Sequence, residues 1–304
     1  MPLLPDRSTP VSSDALPSDA QFFWQLPPRR LDRLLTLTHQ ADQVELKLVV
    51  PVDAHASVCA SLGADLSRAS ARKVYYLDTA DLMLERHGVV ARIRSFEDGS
   101  GDSVVKLRPI SPGDLPPRLR ESKRFVVEVD AMPGRFFCTG AMKRRLGMVD
   151  VEQALGEGRS LDALFSHRQR VLLAAYAPPT VELDNLLVFG PVQVRRCRVQ
   201  PVGLDGALTV EHWAYPDGSS ILELSTRCRA EVAMAATARV TSVLKAHDIN
   251  VTGCQQTKTR TTLAYFACAY GGCQHGREDG ASSTTLRRPR SRFRSRGDGP
   301  AVGE

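Results

Sequence analysis

Glu45 and Lys47 stand two residues apart in VELKLVV, interleaved with Val44, Leu46 and Leu48. In a β-strand, residues two apart share a face, so acid and base point one way and the apolar residues the other. The spacing recurs as Arg92 and Arg94 in VVARIRS, Lys106 and Arg108 in VVKLRP, Glu128 and Asp130 in FVVEVDA, and Glu182 and Asp184 in TVELDNL. If these strands close into one barrel, their charged faces line a common interior. An interior carrying both signs suits a polyanion held with a divalent metal ion, because Lys and Arg take phosphate oxygens and carboxylates take Mg²⁺.

Phosphoryl chemistry is carried mainly by fixed charge around the anion, so the cations are the first candidates. Lys47, Arg92, Arg94, Lys106 and Arg108 form the leading phosphate-binding set, with Arg168, Arg170 and Lys258 as a second tier. Any one Arg or Lys on a strand is usually a solvated surface residue, and the case rests on their clustering. The competing reading of Glu128 and Asp130 is a salt bridge to a neighbouring cation.

Longer motifs carry a family resemblance. VELKLVV is similar to a degenerate ExExK opening strand, YYLDTADLMLERHGVVARIR to a DTxDxxLxxxGxxLRxR hairpin, and ILELSTR to a closing metal-binding strand. With QQTKTRTTLAYF, these resemble the CYTH superfamily, the triphosphate tunnel metalloenzymes, over roughly residues 43–267. The resemblance implies an α+β fold, a closed antiparallel β-barrel or tunnel with flanking helices. It also implies hydrolysis of a triphosphate, and inorganic triphosphate leads because the chain shows no motif for a base or thiazole pocket.

By the same resemblance Glu45, Glu182 and Glu223 are metal positions for Mg²⁺ or Mn²⁺, and Asp184, Glu128 and Asp130 are either further ligands or the base that orients water. Lys47, Glu128 and Asp130 are the catalytic candidates, the two carboxylates orienting water. The chain departs from the pattern at Gln43, where the first Glu of ExExK is expected, and at Ser225, where many members carry a charge. Gln keeps an oxygen acceptor but loses the charge, which lowers metal affinity. Gln43 favours the alternative of a non-catalytic polyphosphate- or nucleotide-binding module, while YPDGSSILELS resembles the polyphosphate polymerase branch and relatives on the same scaffold cyclise ATP, so a polymerase-like or adenylate cyclase-like enzyme is the other alternative.

Positioning these residues requires strands over most of the middle of the chain. After the opening strand, Asp53 is placed to cap a helix bearing Val58, Leu62 and Leu66, and Asp78, Thr79 and Asp81 turn a hairpin before Gly88. ISPGDLPPRL reads as a proline-rich loop, residues 139–165 as short helices, and RQRVLLAAY and TVELDNLLVFG as strands. VQVRRCRVQPV and LTVEHWAYPDGSSILELS read as further strands, the latter around a PDG turn, followed by a last helix over about 228–246.

The expected organisation is a mostly flexible arm over 1–40, a tunnel domain over 41–269 and a disordered basic tail over 270–304. The arm carries an apolar island, Phe22, Phe23 and Trp24, suited to docking on the barrel. Half of the formal net charge of +6 lies in residues 271–304, where seven Arg oppose four acids. That tail suits weak contact with nucleic acid or another polyanion, although charge blocks are more often simply solvated. No apolar run is long enough to span a bilayer. Seven scattered cysteines and no secretory leader point to the cytoplasm, and Cys268, Cys273 and His275 match no common zinc spacing, so free thiols are expected.

Overall fold

The computed structural model describes residues 28–148, 151–156, 161–249 and 255–269. In chain order the elements are α1 (Pro28–Gln40), β1 (Gln43–Val50), α2 (His55–Ser61), β2 (Ser70–Asp78), α3 (Met83–Arg86), β3 (Val89–Phe96), β4 (Gly101–Leu107) and α4 (Pro117–Arg120). There follow β5 (Phe125–Met132), β6 (Arg135–Leu146), α5 (Val151–Gly156), α6 (His167–Tyr176), β7 (Leu187–Val199), β8 (Leu208–Ala214), β9 (Ser220–Cys228), α7 (Ala233–Ala246) and α8 (Lys258–Ala269).

The nine strands close in the order β1-β5-β6-β4-β3-β2-β7-β8-β9, giving the expected barrel with flanking helices. Eight of the nine seams are antiparallel, and β1 pairs β5 in parallel, setting Gln43 opposite Glu128 and Glu45 opposite Asp130. That single parallel seam brings the two acidic strands side by side.

Alternation sorts each strand into two faces. Outward residues such as Leu46, Leu48, Ile93, Val105, Val127 and Val129 share one apolar core with Leu172 and Leu173 of α6 and Val240, Val243 and Leu244 of α7. Each such fully buried aliphatic side chain contributes about 1.5–3 kcal/mol. Gln169 of α6 pins that helix to the barrel by donating from Nε2 to Ser103 O and Met142 O, both at 3.1 Å.

Part of the inner face is apolar too. Val74, Tyr76, Val90, Val192, Trp213 and Ile221 pack with Leu263, Phe266 and Ala267, so α8 fills one end of the interior. Phe189 and Val192, three residues apart on β7, both join this inner cluster because the register shifts between Val74 and Tyr76 on β2. Gly190 sits at that shift, where a Cβ would lie 2.7 Å from Val74 O. Gln255 ties the approach to α8 to β1, accepting from Val49 N at 2.9 Å and donating to Val49 O at 3.0 Å.

Several elements differ from the sequence expectations. RQRVLLAAY is helical, within α6, and its start was readable: Ser166 and Gln169 form a capping box. Glu182 precedes a 3-10 turn over Leu183–Asn185 instead of lying in a strand, and Asn185 donates to Glu182 across it. Residues 139–146 belong to β6, where Thr139 and Lys143 face inward and Cys138 and Met142 outward. Asp53 lies in a 3-10 turn and caps nothing, since α2 starts after Ala54 without a side-chain cap. The helix expected from 228 starts at Ala233, and α8 was not anticipated. Cys268 is disulfide-bonded, which corrects the expectation of a free thiol. Linear spacing does not reveal which sulfurs meet in space.

Phe22, Phe23, Trp24, Cys273, His275 and the basic tail lie outside the described residues. Among those described, no helix is long and apolar enough to cross a membrane.

Candidate active site

The charged inner face surrounds a cavity of about 320 Å³. Ten cations line it (Lys47, Arg72, Arg92, Arg94, Lys106, Arg108, Lys143, Arg196, Arg227 and Lys258) against five carboxylates (Glu45, Asp102, Asp130, Glu211 and Glu223). The excess of positive charge gives the cavity a potential that favours anions.

The cations divide by partner. Arg94 grips Asp102 with two hydrogen bonds of 2.8 and 2.6 Å, and Lys143 adds a third contact at 3.0 Å. Lys258 sits 2.5 Å from Glu211 and 2.6 Å from Glu223, over the Trp213 ring at 5.0 Å. Arg196 lies 3.4 Å from Glu211. Arg72, Arg92, Lys106 and Arg108 make no ion pair among the described residues. Arg72 and Arg108 lie over the Phe96 and Phe137 rings, at 5.5 and 5.9 Å, and among the described residues the buried Nε atoms of Arg72 and Arg92 have no hydrogen-bond partner.

These four cations are the ones an incoming anion can take without first breaking a salt bridge. Burial lowers Arg72 to about 10 and pulls Arg92 down, with Arg94 adding to both. Burial lowers Lys106 to about 8, Asp130 and Glu128 offsetting only part of it while Arg92 and Lys47 lower it further. An anion between these groups would relieve their mutual repulsion.

Carboxylates gather on the β1–β5 wall. Glu45, Glu128 and Asp130 each offer an oxygen within 4.8 Å of the others, and all three are buried. Lys47 Nζ lies 2.6 Å from Glu45 Oε2 and 2.6 Å from Asp130 Oδ1, the latter without hydrogen-bond geometry. Arg227 reaches Glu45 Oε1 at 2.8 Å and Glu128 Oε2 at 2.9 Å. Gln43 Nε2 also donates to Glu128 Oε2, and Thr139 donates to Asp130 Oδ2 at 2.8 Å.

Titration follows from these contacts. Burial pushes the Glu45 carboxyl up, but Lys47 and Arg227 outweigh it and hold the group well below the usual carboxylate range. Glu128 moves the other way: burial raises it, and the charges of Glu45 and Asp130 add to that. Burial also raises Glu223, with Lys258 and Lys47 opposing, and its buried Oε2 has no hydrogen-bond partner. Three hard oxygen donors within reach of one another fit a divalent cation of the Mg²⁺ or Mn²⁺ class. Glu45, Glu128 and Asp130 are therefore the residues that would hold it, with Glu223 farther along the same cavity.

The expected residues divide accordingly. Glu45, Lys47, Arg92, Arg94, Lys106, Arg108, Asp130, Glu223 and Lys258 line the cavity, and Glu128 stands behind it in the carboxylate cluster. Four others do not join them. Glu182 and Asp184 are exposed beside the 3-10 turn, where Asp184 accepts from Leu161 N at 3.0 Å. Arg168 and Arg170 ride on α6 outside the barrel, and Arg170 pairs with Asp162 at 2.5 Å. Arg72, Asp102, Lys143, Arg196, Glu211 and Arg227 line the cavity without having been anticipated. Extending the two-residue alternation backward from Lys106 finds Asp102, and forward from Glu223 finds Arg227.

No protein-family profile matches the chain, and no curated protein matches its sequence. Solved structures do match. An adenylyl cyclase candidate from Hippeastrum with a dominant triphosphatase activity aligns at TM-score 0.52 and 14% identity, over 73% of this chain and 96% of that one. An adenylate cyclase candidate from Bacillus halodurans aligns at TM-score 0.51 and 16% identity, over 72% of this chain and 97% of that one. The closed barrel of this chain therefore has the fold of these two solved structures.

Proposed function

We propose that this chain is a divalent-metal-dependent hydrolase of triphosphate-containing substrates, with inorganic triphosphate as the leading substrate. The observation that carries the reading is one cavity lined by Arg72, Arg92, Lys106 and Arg108, which make no ion pair among the described residues, beside the Glu45–Glu128–Asp130 cluster. Triphosphate carries several negative charges, and fixed cations in a secluded site neutralise them without reorganisation during the reaction.

In this reading Arg92, Lys106, Arg108 and Arg72 bind and orient phosphate oxygens, and Arg94 is held in place by Asp102. Asp130 lines the cavity and orients an attacking water, while Glu128 holds Arg227 beside it. Mg²⁺ or Mn²⁺ bound at Glu45, Glu128 and Asp130 would supply positive charge to the phosphate oxygens. Lys47 contributes a further mobile cation beside that cluster.

A second reading, a binding module without turnover, is favoured by one feature. Gln43 stands where the ExExK pattern has a carboxylate, and Lys47 and Arg227 already engage Glu45, Glu128 and Asp130. Phosphate release measured on inorganic triphosphate, ATP, thiamine triphosphate and long polyphosphate, with Mg²⁺ and with Mn²⁺, separates the readings. Release that needs the metal supports the hydrolase. Tight binding of triphosphate with no release supports the module, and cyclic product from ATP supports a cyclase.

A further inference from the structure

Lys47 is shared between two carboxylates that a metal ion would also need. Its Nζ lies 2.6 Å from an oxygen of Glu45 and 2.6 Å from one of Asp130, and the three side chains are only 10%, 10% and 3% exposed. Resting on the metal-dependent reading above, we infer that Lys47 couples metal binding to triphosphate binding. Its ammonium holds Glu45 and Asp130 until a phosphate draws it away, so each ligand opens the site for the other.

Charge and reach both point this way. Glu45, Glu128 and Asp130 bring three negative charges, against which Lys47 and Arg227 set two positive ones. Mg²⁺ or Mn²⁺ must approach carboxylate oxygens to about 2.0–2.1 Å, the Mg²⁺–oxygen distance. With Lys47 still in place, the metal and the ammonium would compete for the same lone pairs at very short separation. Triphosphate alone meets the opposite difficulty, because it must share the cavity with the carboxylates. Swinging Lys47 onto a phosphate oxygen resolves both conflicts in one motion. A lysine suits this, since its charge is a point on a flexible stem with rotatable donors. The fixed cations across the cavity, Arg92 and Lys106 among them, are already available to the rest of the anion.

Arg227 plays a different part. It bridges Glu45 and Glu128 with both Nε and Nη2, on a side chain that is 53% exposed. Both cations line the cavity, but Arg227 holds Glu45 and Glu128, whereas the far more buried Lys47 sits between Glu45 and Asp130.

Linkage requires the effect to be reciprocal. The test is Mn²⁺ binding followed by electron paramagnetic resonance at free-metal concentrations fixed by a metal buffer, so that chelation by the phosphate is accounted for. Wild type and Lys47→Met are compared with and without the methylene-bridged analogue of inorganic triphosphate. Wild type is expected to bind Mn²⁺ roughly 5- to 150-fold more tightly with the analogue, the usual range of coupling. Lys47→Met is expected to bind Mn²⁺ about tenfold more tightly than wild type without the analogue, and to lose most of the coupling. Equal Mn²⁺ affinity in wild type with and without the analogue overturns the inference, and this arm needs no variant to fold. Unchanged analogue-free affinity in a folded Lys47→Met overturns it as well. Metal and analogue that bind independently leave the hydrolase reading standing, whereas no Mn²⁺ binding under any condition removes both.

Discussion

Lys106→Met should make the unliganded protein more stable while impairing its chemistry. Lys106 is half-buried, makes no ion pair among the described residues, and is lowered from its ordinary 10.5 to about 8, chiefly by burial. At pH 7 the lysine is protonated in both folded and unfolded chains, so the folded state carries the cost of that displacement. The full displacement corresponds to about 3 kcal/mol. Solvent screening at a half-buried position reduces it to roughly 2 kcal/mol. Because the folded value is depressed, wild-type stability is regained as pH rises from about 8 to 10.5, where the folded lysine has lost its proton and the unfolded one has not. Met keeps much of the aliphatic stem without the charge. The variant is therefore expected to exceed wild type by roughly 2 kcal/mol in urea unfolding at pH 7, with a smaller margin at pH 9.5. Its turnover of triphosphate should fall about a hundredfold, the usual cost of removing one well-placed electrostatic partner. A variant less stable than wild type at pH 7, or an advantage that widens with pH, would refute the reasoning.

Three other outcomes are expected. Burial raises Glu211, but Lys258 overcomes this and holds it at about 2, so its stabilising contribution is present above 4.5 and is lost as pH falls through 2. Lys258→Met should therefore move acid unfolding to higher pH, and an unchanged acid midpoint by circular dichroism would contradict the pairing. Glu182→Ala, Asp184→Ala and Arg168→Ala should leave triphosphate turnover unchanged, whereas Arg92→Ala lowers it about a hundredfold in the same phosphate-release assay. Gln43→Glu places a like charge beside Glu128, so the metal-free melting temperature should fall and its rise on adding Mn²⁺ should exceed that of wild type; equal rises would show that position 43 does not face the metal.

Much of the barrel was legible because its charged strands keep a two-residue period. Glu45 and Lys47, Arg92 and Arg94, Lys106 and Arg108, and Glu128 and Asp130 were found that way, and each pair contributes to the cavity or its carboxylate cluster. The same period misled at TVELDNL, where Val181 and Leu183 alternate with acids over too few residues to hold a strand. Pro178 and Pro179 precede that stretch, and Asn185 folds back onto Glu182. On α6, the apolar run in RQRVLLAAY imitates a buried strand, and only the cap formed by Ser166 and Gln169 distinguishes it. The parallel β1–β5 seam had no local signal. It depends on strands far apart in sequence meeting in space, yet it is what sets Glu45 beside Asp130. Which cations remain unpaired was equally hidden, since Arg94 and Arg92 look alike in VVARIRS until Asp102 is seen to claim one of them.

The central claim is that one wall of the cavity holds phosphate and the facing carboxylates hold metal. Crystals grown with Mn²⁺ and the methylene-bridged triphosphate analogue, measured at the manganese absorption edge, test it most directly. An anomalous peak against Glu45 and Asp130 is expected, with phosphate density touching Arg72, Arg92, Lys106 and Arg108. Manganese or phosphate located only outside the barrel, with the cavity unchanged, would contradict it.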